Sequence, residues 1–224
     1  MAKIEWDAIG ERFYETGVDH GVLYRQSGDN NYGTGVPWNG LTSVNEEPSG
    51  AEPSPLYADN IKYLNLMSTE EFGGTIEAYT YPDEFAECDG TAQPVPGITV
   101  GQQPRKQFGF SYRTLVGNDT QGQDLGHKLH LVYNALAAPS AKNYQTVNDS
   151  PEAIAFSWTF STTPVTIEGM KPTATLTFDS REIGAENMAQ LEAILYGDDT
   201  TEPRLPFPNE LIAMFGGSTD TEGE

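Results

Sequence analysis

The sequence is poor in cysteine and in basic residues. Cys88 is the only cysteine among 224 residues, which excludes an intrachain disulfide and a cluster of thiolate metal ligands. Twelve Lys and Arg stand against 33 Asp and Glu, giving a formal net charge of -21. Because nucleic-acid binding needs Lys and Arg to displace the counterions of the phosphates, such a surface repels DNA and RNA. Direct reading of a DNA sequence is therefore not expected.

Long apolar runs are lacking as well. No segment approaches the length of a membrane span, and the opening stretch MAKIEWDAIG has no apolar core of a signal peptide. These features predict a protein that is made and folded in a cytosol and does not bind membranes. The chain is not expected to be disordered, because 37% of its residues are hydrophobic and 11% are aromatic.

The clearest strand pattern is AIAFSWTFSTTPV, residues 153–165. The large side chains are Ile154, Phe156, Trp158 and Phe160, and they alternate with Ala155, Ser157, Thr159 and Ser161. Successive side chains of a strand point to opposite faces, so the large set is predicted to lie in the core. The small set is unusual, because an ordinary solvent-exposed face would carry Lys and Glu.

Similar alternation recurs along the chain between clusters of Gly, Pro, Asn and Asp. It is seen in the opening stretch and in residues 17–26, 58–67, 73–82, 106–115, 126–137 and 173–180. This pattern predicts a mainly β fold, an antiparallel β sandwich or barrel. One flanking α-helix is predicted at about residues 185–196, where Met188, Leu191 and Leu195 form an apolar stripe.

Two regions do not fit a compact sandwich. Residues 28–57 and 201–217 contain Gly and Pro too densely for regular sheet, yet both carry large apolar side chains. A long loop with such residues usually packs on its own domain or on a neighbouring molecule. The last residues, 218–224, are predicted to be disordered.

No constellation of residues indicates an enzyme, a cofactor or a metal site. His127 and His130 are an odd number of residues apart, so in a strand their rings lie on opposite faces. Motifs for a nucleophile or a phosphate loop are missing from the sequence. A sugar-stacking platform made by Trp6, Trp38 and Trp158 is one alternative, which would make the protein a carbohydrate-binding β-sandwich module.

An ordered series of phrases resembles the major tail proteins, or tail tube proteins, of long-tailed bacteriophages of Gram-positive bacteria. The phrases are ERFYETGVDHGVLY (11–24), GVPWNGLTSVNEEPSGAE (35–52), YADNIKYLNLMSTEEFGGTIEAYTYPDEFAECDG (57–90), QPRKQFGFSYRTLVGND (103–119) and VNDSPEAIAFSWTFSTTPV (147–165). Together they span most of residues 4–197. The family has no catalytic residue to transfer.

The resemblance implies a structural virion protein with a single tail-tube domain, residues 1–217. Six copies would form a ring, strands from all six would close an inner barrel, and stacked rings would make the hollow tube through which DNA is ejected. The implied partners are further copies of the chain, the tape measure protein, and the tail tip and tail terminator proteins. The implied location is the virion tail, assembled in the host bacterial cytoplasm.

The resemblance also assigns roles to the regions outside the sandwich. The N-terminal arm (1–16), the long loop (28–57) and the C-terminal arm (201–217) would bridge subunits and rings. The candidate contact residues are Trp6, Phe13, Tyr14, Trp38, Leu41, Phe207, Leu211 and Phe215. The small side chains of residues 155–161 would either line the bore or pack under the helix. An inner tube of a contractile tail or injection apparatus is the alternative assembly.

Overall fold

Strands dominate the computed structural model, which describes residues 3–28, 31–147, 149 and 152–216. The strands are β1 Phe13–Arg25, β2 Val36–Pro37, β3 Leu41–Glu46, β4 Ser49–Gly50, β5 Pro53–Ala58, β6 Ile61–Met67, β7 Glu70–Glu71, β8 Gly73–Ala78, β9 Ala92–Val95, β10 Ile98–Val100, β11 Phe108–Asn118, β12 Gly122–Ala137, β13 Phe156–Thr162 and β14 Thr175–Asp179. The helices are α1 Ser180–Ile183, α2 Ala185–Tyr196 and α3 Pro208–Phe215, and a 3₁₀ turn spans Asp83–Glu87. The predicted mainly β, antiparallel fold with a helix at 185–196 is confirmed.

One large sheet folds over on itself. Its strand order is β2-β1-β11-β12-β13-β8-β3, and β14 pairs with β12 off this path. Strand β12 forms the corner: residues 128–132 pair with β14, and residues 135–137 pair with β13. Between these two segments Asn134 has a φ of 47°. Such a kink lets one strand pass from one layer to the next, so β1-β11-β12 and β3-β8-β13 pack face to face.

The space between the two layers is filled with aromatic side chains around Trp38. The Trp38 ring lies 4.6 Å from Phe85, 5.4 Å from Phe110 and 5.6 Å from Trp158, measured between ring centroids. Its indole N–H donates to the Thr80 carbonyl at 3.0 Å. Tilted and edge-on aromatic pairs of this kind add to the stability gained from burial. Trp38 is therefore a central residue of the inner core.

Helix α2 covers the other face of β1-β11-β12 and forms a second core. Met188, Leu191 and Leu195 point into it, at the positions that the apolar stripe predicts. The Tyr24 hydroxyl in this core donates to the Leu195 carbonyl at 2.8 Å. Because alternate residues of a strand face opposite ways, the adjacent Leu23 lies in the inner core.

Two expectations about regular structure were wrong, and one helix was not predicted. Residues 28–57 contain paired strands: β3 pairs with β8 from Leu41 to Glu46, and Pro37, Gly50, Pro53 and Pro55 lie within strands β2, β4 and β5. Residues 3–12 contain no strand. Residues 208–215 form α3, which Pro208 begins, because proline is well tolerated in the first turn of a helix. The expectation for residues 218–224 lies outside the described residues.

Candidate assembly surfaces

The predicted contact residues fall into three groups by exposure. Trp6 (77%), Phe13 (57%) and Tyr14 (42%) are exposed. Leu41, Phe207 and Phe215 are half-buried against their own subunit. Trp38 (3%) and Leu211 (1%) are enclosed by their own subunit, so their side chains have no surface left for a neighbour. For these two residues the predicted contact between rings is wrong.

The predicted core residues lie mostly inside the subunit. Trp158, Phe160, Met188, Leu191 and Leu195 are buried. Phe156 and Ile154 are half-buried, and Ile154 precedes the first residue of β13. The core contribution of this segment therefore comes from its C-terminal half.

Strands β3 and β8 continue away from the body of the subunit as a long hairpin. Beyond the sheet, β4 pairs with β7 and β5 pairs with β6, and we call residues 49–71 the distal hairpin. At its tip Asp59 and Asn60 both have positive φ, 50° and 63°, as a two-residue hairpin turn requires. Every residue from 52 to 71 is exposed. The body of the subunit therefore does not cover the distal hairpin.

Both faces of the distal hairpin are apolar. One face carries Leu56, Leu64 and Leu66, together with Ile61, which pairs with Ala58; the other carries Tyr57 and Met67. Their exposed fractions run from 38% for Leu64 to 70% for Tyr57. Exposed apolar patches mark interaction sites, and an isolated two-stranded hairpin is at best marginally stable in water. The distal hairpin thus presents exposed apolar surface on both of its faces.

A polar cluster anchors the root of this hairpin. Glu46, the last residue of β3, accepts a hydrogen bond from the Tyr112 hydroxyl, and its carboxylate lies 3.7 Å from Nδ1 of His130. The His130 ring stacks on Tyr112, with centroids 4.6 Å apart and planes within 4°. Nε2 of His130 lies 3.0 Å from the Thr114 hydroxyl. These contacts join β3 to β11 and β12 where the hairpin leaves the body.

We expect His130 to contribute to loss of stability in acid. Burial lowers its pKa below the ordinary 6.5, although Glu46 and Glu15 oppose the shift and Lys128 adds to it. Because the folded state disfavours the charged ring, stability is fully present above pH 6.5 and falls as the pH drops through the lowered pKa. His130→Gln should flatten this part of the profile of Tm against pH. If the wild type and the variant lose stability in parallel below pH 6.5, the proposed effect of His130 is absent.

The small polar side chains of β13 belong to a wider patch on the outer face of β3-β8-β13. The patch comprises Ser43, Asn45, Thr75, Glu77, Ser157, Thr159 and Ser161. Thr75 and Thr159 lie opposite each other with hydroxyl oxygens 3.4 Å apart, and Ser43 donates to Glu77 at 2.8 Å. Among the seven residues only Glu77 is charged. Helix α2 lies on the other layer, so the alternative that this face packs under the helix is wrong.

Other candidate chemistry is not assembled in the described residues. The His127 ring contacts Glu192 of α2 at 2.9 Å, whereas His130 points into the inner side of the sheet. Burial raises the pKa of the Cys88 thiol to about 12, which keeps it protonated at neutral pH. Across the described residues, His, Cys, Asp and Glu form no group of three or more that could hold a metal ion. None of the helices described has the length and apolarity to cross a membrane.

The three tryptophans do not form a shared surface. Trp38 and Trp158 are buried and pack against each other, whereas Trp6 is exposed on the N-terminal segment. The alternative of a sugar-stacking platform made by all three residues is therefore wrong.

Comparison with protein families and curated proteins gives no match. Among solved structures, the chain is similar to a chain of the sheath-tube complex of an extracellular contractile injection system, PVC, in its extended state. The two sequences are 14% identical, and the TM-score is 0.32. The match covers 79% of this chain and 94% of that chain. A chain of the anti-feeding prophage (AFP) baseplate has 8% identity, with 78% and 97% covered and a TM-score of 0.36. A chain of the PVC sheath/tube terminator has 14% identity, with 79% and 99% covered and a TM-score of 0.31. In all three comparisons the sequence identity is low and the TM-score lies below 0.5.

Proposed function

We propose that this chain is the building block of a phage tail tube. Six copies form a ring, and the rings stack into a hollow tube through which DNA leaves the capsid. The observation that carries the proposal is the distal hairpin, because both of its apolar faces are exposed in the single subunit. The sequence resemblance supports placing this tube in a long-tailed phage of Gram-positive bacteria.

Free strand edges support association side by side. Among the described residues β3 pairs with β8 alone, and β14 pairs with β12 alone, so each has one edge without a partner strand. Unpaired edges promote association in soluble proteins, and closure into a barrel removes them. A ring in which the edge of one subunit pairs with the next subunit would satisfy these backbone groups.

The small polar patch on β3-β8-β13 suits the wall of the bore. DNA must slide past the wall without finding cations that hold its phosphates. Ser, Thr and Asn provide a wetted surface without positive charge, and six copies of Glu77 would add a ring of carboxylates. Together with the net charge of -21 per subunit, this arrangement gives the bore a negative potential.

Lysine introduced into this patch should slow the passage of DNA. Thr159 is exposed at the centre of the patch, so Thr159→Lys would place six new cations in each ring. We expect tubes of normal appearance and DNA ejection slowed several-fold, measured as dye-reported DNA release from particles. Gln190→Lys on the exposed face of α2 is the matched control and should eject normally. Normal DNA ejection by Thr159→Lys particles would show that this patch does not line the bore.

The remaining partners follow from the same assembly. The tape measure protein would occupy the bore until ejection, and the tail tip and tail terminator proteins would cover the two ends of a tube assembled in the host cytoplasm. An inner tube within a contractile sheath would use the same contacts between subunits, and an outer protein layer on the particle would identify it.

Sedimentation of the purified protein tests the proposal. A tube subunit shifts cooperatively to large species as concentration rises, whereas a binding module or an enzyme does not.

A further inference from the structure

The distal hairpin is bent close to its root, at Gly50 and Ala51. Both residues have positive φ, 84° and 54°, a conformation that residues other than glycine rarely adopt. In a hairpin such residues are expected in the turn, and here Asp59 and Asn60 form the turn at the tip. The two residues near the root therefore serve a different purpose, and we call them the Gly50–Ala51 bend.

The bend changes the direction of the hairpin but not its pairing. Glu46 lies opposite Gly74 before the bend, and Pro53 lies opposite Met67 beyond it. Equal numbers of residues separate these two pairs on the two strands, so no extra residue is inserted as in a β-bulge. The ladder is interrupted only locally, at residues 51–52. The positive φ values thus alter the path of the chain rather than its register.

Only glycine fits at position 50 of this bend. A Cβ atom there would lie 2.5 Å from the backbone carbonyl oxygen of Thr69 on the opposite strand, closer than real Cβ atoms approach. Because that oxygen belongs to the backbone, no change of side-chain rotamer relieves the clash. Any other residue must either push the two strands apart or give up the left-handed φ. Both changes turn the part of the hairpin that lies beyond residue 50.

The body side of the bend is held in place by hydrogen bonds. The Glu47 N–H donates to the Gly73 carbonyl at 2.8 Å, which continues the pairing of β3 with β8 toward the bend. The Phe72 carbonyl accepts hydrogen bonds from the backbone N–H and the hydroxyl of Thr162, at 3.2 and 2.6 Å, and these tie the same end to β13. A change at Gly50 would therefore move the distal part of the hairpin and leave the sheet of the body in place.

A small change of angle at the bend is enough to misplace the apolar faces. The six residues of β5 alone extend for roughly 20 Å. At that distance a rotation of about 20° moves the tip by roughly 7 Å, whereas apolar side chains in contact have heavy atoms within about 4.5 Å. The direction set at the bend thus decides which surface of a neighbouring molecule the hairpin can reach.

We propose that Gly50 is a positioning residue for assembly. It fixes the angle at which the distal hairpin leaves the subunit, and that angle places the apolar faces of the hairpin against neighbouring copies of the chain. This inference rests on the proposed tube function. It adds the residue on which the reach of the hairpin depends.

Gly50→Ala tests this role, with Gly97→Ala as the matched control. Gly97 has the same φ of 84° at the tip of the β9–β10 hairpin, but a Cβ atom there would meet nothing within 4 Å. In both variants alanine must accept a left-handed φ, whereas only Gly50→Ala adds a clash with the backbone. We expect the concentration needed for tube growth to rise at least about tenfold for Gly50→Ala and to keep its wild-type value for Gly97→Ala. Thermal unfolding of both monomers should match the wild type, because both sites lie outside the two cores.

A distance measurement on the monomer shows whether the hairpin has turned. One spin label is attached at Lys62→Cys on the distal hairpin, and the other at Gln190→Cys on α2 or at Gln121→Cys before β12. All three sites are exposed, and the native Cys88 is fully buried. We expect Gly50→Ala to shift at least one of the two mean distances by several Å. Gly97→Ala should leave both distances unchanged.

Two results would overturn the inference. In one, Gly50→Ala polymerises at the wild-type concentration; in the other, both label distances keep their wild-type values. Ala51→Gly adds no atom to the bend and should match the wild type in both measurements, so loss of growth in that variant would also contradict it. If the wild type itself forms no tubes, the tube function fails and the assembly role of Gly50 fails with it. The label distances then decide separately whether Gly50 sets the angle of the hairpin.

Discussion

Replacing Ile61, Leu64 and Leu66 together with threonine is expected to abolish tube growth at concentrations where the wild type polymerises. These side chains share one face of the distal hairpin and are 67%, 38% and 55% exposed in the single subunit. Full burial of one large apolar side chain contributes about 1.5–3 kcal/mol. Losing roughly half of that at each of three positions weakens each contact by about 3 kcal/mol, which raises the concentration needed for growth by roughly a few hundredfold.

The measurement is light scattering against protein concentration, together with thermal unfolding of the monomer. Unfolding should be unchanged, because the distal hairpin lies outside both cores. The matched control replaces Tyr144 and Met170, exposed by 72% and 67% elsewhere, and should polymerise normally. Threonine at Tyr57 and Met67 tests the opposite face. Polymerisation of either hairpin variant at the wild-type concentration would show that the altered face is not covered in the assembly.

Trp38→Ala is expected to destabilise the subunit itself by about 3–5 kcal/mol, the usual cost of removing a large buried aromatic side chain. The substitution empties the centre of the cluster formed with Phe85, Phe110 and Trp158, and it leaves the Thr80 carbonyl without its indole donor. Since domains of this kind are stable by only about 5–15 kcal/mol, much of the protein should be lost to aggregation.

Chemical denaturation of the monomer measures this effect, and Trp6→Ala provides the control. Trp6 is exposed, so its removal should leave the free energy of unfolding unchanged while weakening assembly. The opposite result, a stable Trp38→Ala monomer that fails to assemble, would show that Trp38 contributes to the contact between rings.

Alternation and helical periodicity were sufficient to predict most of the central sheet. Strands β1, β8, β11, β12 and β14 lie within or overlap the segments with the clearest period of two, and α2 has the predicted bounds. The sequence does not predict strand β3 for two reasons. An irregularity between Leu41 and Ser43 interrupts the alternation of its side chains, and Gly and Pro flank it closely. The sequence does not predict helix α3, because three prolines lie close together at positions 203, 206 and 208 and the last of them begins this short helix.

The assembly surfaces were harder to predict, because the sequence does not show whether a large apolar residue is buried in its own subunit or exposed for contact with another. Trp38 lies between Pro37 and Asn39, and Trp6 lies between Glu5 and Asp7, yet the first fills the core and the second is exposed. The difference between the two residues comes from tertiary structure. Trp38 directly follows β2 and packs against β1, where its backbone N–H donates to the Gly21 carbonyl.

The position of the small polar face also depends on the whole fold. Residues 155–161 predict a strand with two unlike faces, but they do not say which layer the helix covers. In the structure α2 covers β1-β11-β12 and leaves the outer face of β3-β8-β13 open. That arrangement allows the patch of Ser, Thr and Asn to line a bore in the assembled tube.

Electron microscopy of the purified protein over a range of concentration and salt is the most direct test of the tube function. High salt belongs in the series because a net charge of -21 makes subunits repel one another, and at 1 M the screening length falls to about 3 Å. We expect six-fold rings and hollow tubes of uniform diameter, appearing cooperatively as concentration rises. Single particles of monomeric mass at every concentration and salt tested would contradict self-assembly into a tube.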